Sequence, residues 1–245
     1  MGLRNADSAE TEKTWKGYYS SLAGQTGSDK FREEFDRYTY VHTWHNSVRV
    51  INRYARILNG DKILDAGCGW GRLLLGVLES HHDLDITAID LQQDALNLGK
   101  SFIGEENNGN KITWQQENLT SLSLPDASFD VVYSARVFQH LDVPPEGIAE
   151  LLRVLKPGGR FLIFLQNSLC PLNKGYYARM YSPAQVRAWF DTNPVQQLSV
   201  STMDFYPGNA AKLLPLPIRM GFESILGAVP FLNRYGGKVA AWGVK

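Results

Sequence analysis

Residues 59–165 alternate short apolar runs with helical periodicity, and glycine, proline and asparagine mark the junctions. Together these features predict an α/β fold, a doubly wound and mostly parallel sheet. No repeat at solenoid spacing and no low-complexity tract interrupts the succession, so the 245 residues read as one domain. A chain of this length buries about 70% of the surface its unfolded form exposes, enough for a sizeable core.

Residues 1–58 begin polar and then turn aromatic, with Trp15, Tyr18, Tyr19 and Trp44 among them, as a helical lid segment would. Val48, Ile51, Tyr54, Ala55 and Leu58 recur at three- and four-residue steps, the period of a helix over about 45–58. A first strand is expected at 62–66 and its helix at 71–79. A second strand at 85–90 is followed by a helix over 92–103, and Asn108-Gly109 marks a turn into a third strand at 111–115. The fourth strand, 129–134, precedes a helix over about 145–155 that stops at Lys156-Pro157-Gly158-Gly159, where proline and glycine cannot continue it. The fifth strand follows at 160–165.

Beyond residue 166, Ser182-Pro183-Ala184-Gln185 has a capping serine, proline at the first helical position and a glutamine that completes the capping box. Two final strands are expected at 196–206 and 238–244, which brings the count to seven. The residues between them, 207–235, are rich in Pro, Gly and Leu and too long for a plain hairpin loop.

Composition narrows the function. Lys plus Arg number 25 and Asp plus Glu number 25, so the chain lacks the positive field of a dedicated nucleic-acid binder. No window approaches a membrane span, and the apolar stretches of 207–235 are broken by prolines and by Arg219 and Glu223. Cys68 and Cys170 are too few for a disulfide framework or a cysteine-bound metal, which suits a reducing cytoplasm. His42 and His45 could share a helix face, but no third ligand accompanies them, so no metal is expected.

The chemistry is concentrated in Ile63-Leu64-Asp65-Ala66-Gly67-Cys68-Gly69-Trp70-Gly71-Arg72, where a strand runs through glycines into a helix. Such a turn lets the backbone approach a ligand closely, and the helix N-terminus offers N–H groups to an anionic group. Asp90 follows Gly71 by nineteen positions at the end of the second strand, where a carboxylate can accept both hydroxyls of a ribose. A dinucleotide fingerprint wants Gly-x-Gly-x-x-Gly, but here Gly67, Gly69 and Gly71 alternate and Leu73 follows, so a nicotinamide-dependent oxidoreductase is the weaker reading.

The pattern Asp-x-Gly-x-Gly-x-Gly from Asp65 to Gly71 resembles the first motif of the class I S-adenosylmethionine-dependent methyltransferases. The resemblance continues through Asp90-Leu91, Phe129-Asp130-Val131-Val132 and Leu155-Lys156-Pro157-Gly158-Gly159-Arg160-Phe161-Leu162, and covers roughly residues 60–165. It implies a Rossmann-like, mostly parallel seven-stranded sheet with an antiparallel last strand. It further implies S-adenosyl-L-methionine as cofactor and S-adenosyl-L-homocysteine as product. Carried over by position, Gly67, Cys68, Gly69 and Gly71 pass beneath the methionine part, with Asp65 bonded to it directly or through water. Asp90 holds the ribose, Leu91 packs on adenine, Asn118 meets the adenine amino group with Leu119 beside the ring, and Ser134 lies near the methyl group. An alternative is a catalytically silent partner subunit that keeps the cofactor fold.

Two residues are candidates for catalysis. His140 follows the fourth strand and could remove an acceptor proton, and Arg136 could hold an acidic acceptor. The Asp/Asn-Pro-Pro-Tyr tetrapeptide and the Pro-Cys pair of related nucleobase enzymes are absent; Ser134-Ala135-Arg136-Val137 stands at the first of these places. A small-molecule or lipid-like acceptor is therefore expected, with the closest resemblance to the group that includes quinone-biosynthesis enzymes. The charge divides unevenly, +2 over 1–58, −7 over 59–165 and +5 over 166–245. The acidic cofactor-binding core suits a cationic cofactor, and the basic C-terminal part suits an anionic acceptor or peripheral contact with an anionic membrane.

Overall fold

The computed structural model describes Gly17, Ser21 and residues 46–173, 179–203 and 234–245. The expectations for Tyr18, Tyr19, His42 and His45, and for residues 207–233 of the insertion, lie outside the described residues.

Lys-Ile-Leu-Asp-Ala forms β1 (Lys62–Ala66), with its last four residues buried. β2 (Asp85–Asp90) lies parallel on one side of it and β5 (Phe129–Ala135) parallel on the other. β4 (Asn110–Gln116) extends the sheet beyond β2, and β6 (Leu155–Gln166) extends it beyond β5, both in parallel. β8 (Lys238–Val244) runs antiparallel between β6 and β7 (Gln197–Met203), the antiparallel last strand that was expected.

One strand is added to the seven. β3 (Glu106–Asn107) pairs antiparallel with β4, and Asn108 and Gly109 turn between them with φ of 50° and 78°. Two consecutive left-handed residues match the twist of a hairpin, which is why Asn-Gly serves there. The sheet order is β3-β4-β2-β1-β5-β6-β8-β7.

Successive strand residues point to opposite faces, and both faces are apolar. Ile63, Val131, Leu162 and Ala240 bury against one cluster, which takes in Val50 and Ile51 and the inner residues Leu74 and Val77 of α1 (Arg72–Ser80). Leu64, Val132, Ile163 and Ala241 bury against the other, beneath α3 (Pro144–Val154) and α4 (Pro183–Ala188). α2 (Gln93–Ile103) follows β2. α4 begins with the expected capping box: Ser182 and Gln185 exchange side-chain to backbone hydrogen bonds, and Pro183 is the first helical residue.

Two elements differ from expectation. The leading helix, from 46, ends in a π-turn over Ile51–Ala55, and Arg56 at φ 50° stops it before Leu58. It lies close against α1: a Cβ at Gly76 would stand 2.4 Å from Val48 Cγ2. The second difference is in β6, which starts at Leu155, not at 160. Leu155 pairs with Phe129, the register shifts, and pairing resumes at Arg160. Lys156-Pro157-Gly158-Gly159 is therefore an excursion inside the strand. It is held by Gly158 N donating to Lys245 O and Lys245 N to Gly159 O, both at 3.0 Å.

The strand ends opposite the glycine turn are tied by charge. Arg160 pairs with Asp61 at 2.7 Å and donates to Arg56 O, and Asp61 accepts Leu58 N at 2.7 Å. The paired side chains are only 19% and 10% exposed. Removing one member leaves a largely desolvated charge without its partner. Arg160→Ala should lower unfolding stability by about 2–3 kcal/mol, read as a lower urea midpoint at unchanged slope; an unchanged midpoint would show that the pair does not fasten the leading helix.

Candidate cofactor site

Strand β1 ends at Ala66, and the chain turns through Gly67, Gly69 and Gly71 with φ of 83°, 58° and 81° before α1 begins. Left-handed backbone at three positions in five requires glycine, and at Gly67 space does as well. A Cβ there would sit 2.2 Å from Val137 Cγ2.

The turn amides are engaged inside the protein. Gly67 N and Cys68 N both donate to Ile89 O at 2.8 Å, Gly69 N donates to Asp90 Oδ2 at 2.8 Å, and Gly71 N donates to Cys68 O at 3.0 Å. The sequence-based expectation that this turn offers its N–H groups to an anion therefore does not describe these four. They hold the turn on β2 and fix the Asp90 carboxylate, whose Oδ1 also accepts Gln92 N at 2.9 Å.

Asp65 lies next to this turn and is 3% exposed. Its Oδ2 accepts the phenol O–H of the fully buried Tyr133 at 2.8 Å. Burial pushes the Asp65 carboxyl up to about 7, with the Tyr133 hydrogen bond opposing the rise and Asp90 adding to it. Burial also raises Asp90, against the hydrogen bonds from Gln92, Gly69 and Leu91. The Cys68 thiol is pushed up by burial and by both carboxylates, so it stays protonated, and it donates to Gly69 O at 3.2 Å.

Two buried acids, one of which raises the other, favour a ligand bearing positive charge, and they oppose the pyrophosphate of a dinucleotide. S-adenosylmethionine fits this donor set. Its ribose hydroxyls suit a carboxylate fixed by two backbone amides, and its ammonium suits a buried carboxylate on which no cation acts among the described residues.

The other expected residues take distinct positions. Leu91, 45% exposed at the end of β2, leaves an apolar surface beside Asp90, and its carbonyl accepts Gln116 Nε2 at 2.9 Å. Asn118 Oδ1 accepts the amide and hydroxyl of Thr120 at 3.0 and 2.9 Å, the bonding of an Asx turn. Leu119 is buried with Leu122 and Leu124. Ser134 is fully buried and donates its hydroxyl to Ala66 O at 2.7 Å, joining β5 to β1 directly before the glycine turn.

His140 closes a short turn, Phe138–His140, after β5. Burial, then the Arg136 and Arg179 guanidiniums, lower it to about 4, so it is neutral at neutral pH and a weak base. Arg136 has φ 65°, a left-handed conformation that is strained for a residue with a side chain. Arg179 donates to Leu141 O at 2.6 Å and pairs with Asp142 at 2.7 Å. Sequence reasoning missed Tyr133 and Arg179. The signal for Tyr133 was present as register, since it stands directly opposite Asp65 across the β1–β5 pair.

The raised Asp65 has a consequence for stability. The unfolded chain releases this proton near 3.8 and the folded chain near 7, so the group removes stability as pH rises between those values. Asp65→Asn abolishes that loss. The empty variant should melt about 3–8 °C above the parent near pH 8, with a smaller gain near pH 5; a lower melting temperature near pH 8 would contradict the raised carboxyl.

Comparison with known proteins finds relatives that share this segment. Residues 64–163 match the family model described as "Methyltransferase domain". A demethylmenaquinone methyltransferase of Symbiobacterium thermophilum is 31% identical over 138 residues, covering 55% of this chain and 55% of that protein. An O-methyltransferase of Aspergillus nomiae is 29% identical over 140 residues, covering 56% and 61%. The chain thus spans little more than half the length of these curated relatives. Among solved structures, a chain from the complex of the Haloferax volcanii Trm112 methyltransferase activator with a methyltransferase superposes with a TM-score of 0.64 at 18% identity, over 91% of this chain and 96% of that one. The glycine turn and the two acids that flank it fall inside the segment, residues 64–163, that matches the methyltransferase domain.

Proposed function

We propose that the protein transfers a methyl group from S-adenosylmethionine to a small-molecule or lipid-like acceptor. The observation that carries this reading is the pair of carboxyls raised by burial, Asp65 and Asp90, beside a turn whose amides are already engaged. Asp90 holds the ribose and Leu91 covers the adenine, with Asn118 and Leu119 at the far side of the ring. Asp65 takes the ammonium, and Gly67 to Gly71 form the floor. The cofactor supplies an electrophilic methyl group on a positively charged sulfur. The protein's part is to align the acceptor in line with that methyl and to exclude water.

Arg136 and His140 face the acceptor in this reading. Neutral His140 accepts a hydrogen bond from the acceptor's nucleophilic group and orients it, and Arg136 carries the positive charge that an anionic acceptor would meet. The names of the relatives, a demethylmenaquinone methyltransferase and an O-methyltransferase, support an acceptor of this small or lipid-like kind. Residues 1–58 and 207–235 complete the acceptor walls of a single domain around the 59–165 core. In support, Asn167 at the end of β6 donates to Arg234 O at 2.9 Å and Gly236 O at 2.7 Å, so the insertion returns at the strand ends that carry the site. The free thiols of Cys68 and Cys170 suit a cytoplasmic setting.

Thermal shift with S-adenosylmethionine, S-adenosylhomocysteine and NAD side by side tests the reading. The first two should raise the melting temperature by about 3 °C or more at a hundredfold excess over Kd, and NAD should not. Asp90→Ala should abolish the shift. Stabilisation by NAD alone would overturn the proposal.

A further inference from the structure

Asp65 and Tyr133 stand opposite each other on neighbouring parallel strands, so their side chains leave the sheet on the same face. The phenol is fully buried and its O–H lies 2.8 Å from Asp65 Oδ2. A residue filling this space for packing alone would be Phe. The hydroxyl adds a donor aimed at a carboxyl two residues before Gly67, and a donor stabilises the ionised carboxylate over the neutral acid.

We propose that Tyr133 is a positioning residue for cofactor binding: its hydrogen bond holds Asp65 as an oriented carboxylate, ready to receive the ammonium group of S-adenosylmethionine. This deepens the reading above and rests on it. The groups that act on Asp65 are Tyr133 from β5 and Asp90 from β2, with no cation among them in the described residues, and the nearby Cys68 thiol is itself held protonated. Tyr133 is therefore the one of the two that favours the charged form. Burial and the neighbouring carboxylate push its own phenol well above the ordinary tyrosine value, so it remains a donor across the working pH range. Binding a cation beside Asp65 is thereby coupled to the loss of its proton near neutral pH.

Calorimetry of S-adenosylhomocysteine binding to the intact protein, in buffers of different ionisation enthalpy, reads that coupling directly. Near pH 7 the parent should release about half a proton on binding, and Tyr133→Phe should release more, because more of its Asp65 starts protonated. The variant's affinity should fall about tenfold near pH 6 and return to within about twofold of the parent near pH 9. A merely structural loss would weaken binding by the same factor at every pH. Asp65→Asn, which has no proton to release, should bind weakly with this proton release gone; it provides the same test if Tyr133→Phe fails to fold. Equal proton release and a constant affinity ratio for Tyr133→Phe, or undiminished release from Asp65→Asn, would overturn the role of Tyr133 and leave the cofactor reading standing. Failure of the parent to bind at any pH would overturn both.

Discussion

The central constraint is that two carboxylates, Asp65 and Asp90, are held against one glycine turn at the ends of adjacent parallel strands. Each is raised by burial, and Asp90 raises Asp65 further. Such a pair is unfavourable in the empty protein and becomes favourable only when a cationic ligand neutralises it. The surroundings restrain that repulsion. Tyr133 donates to one acid, and Gly69 and Gln92 donate to the other. Stability given up at a site in this way is what binding energy later recovers.

The rest of the fold keeps that arrangement in register. β1 and β2 must end together for Ile89 O to receive both Gly67 N and Cys68 N, and β5 must match β1 for Tyr133 to meet Asp65. Ser134 adds a hydroxyl link to Ala66 directly before the turn. At the opposite strand ends, Asp61 with Arg160 and Asp130 with Lys156, each at 2.7 Å, join the leading helix and the excursion in β6 to the sheet. Asp130 Oδ2 also accepts Lys62 N at 3.0 Å, and these cationic and amide partners outweigh its burial and hold its carboxyl below the ordinary range. Arg153 reaches Glu150, Asp126 and the carbonyls of Leu122 and Leu124, which fixes the crossing between β4 and β5.

Most of the sheet was legible because its strands are buried on both faces and end in glycine, proline or capping signals. The boundaries of β2 and β8 and the capping box at Ser182 follow directly from those patterns. β3 was not legible, since two residues carry no period; only its Asn-Gly turn was. The excursion of β6 was hidden because Lys-Pro-Gly-Gly carries the same signal whether the chain leaves a sheet or merely steps out of it. In the site, Asp65, Asp90 and the glycines were readable from spacing. Tyr133 was not, because a tyrosine in an apolar strand reads as core until the neighbouring strand's register is known. The lowering of His140 comes first from its burial and then from Arg136 and Arg179, and neither the burial nor the approach of Arg179 exists before the chain folds.

A crystal structure of the protein with S-adenosylhomocysteine tests the account most directly. The ribose hydroxyls should lie within hydrogen-bond distance of Asp90, and the ammonium should lie beside Asp65 with Tyr133 still donating to it. The turn from Gly67 to Gly71 should keep its internal hydrogen bonds. A ligand whose carboxylate displaced those turn amides from Ile89 and Asp90, or whose ribose lay away from Asp90, would contradict it.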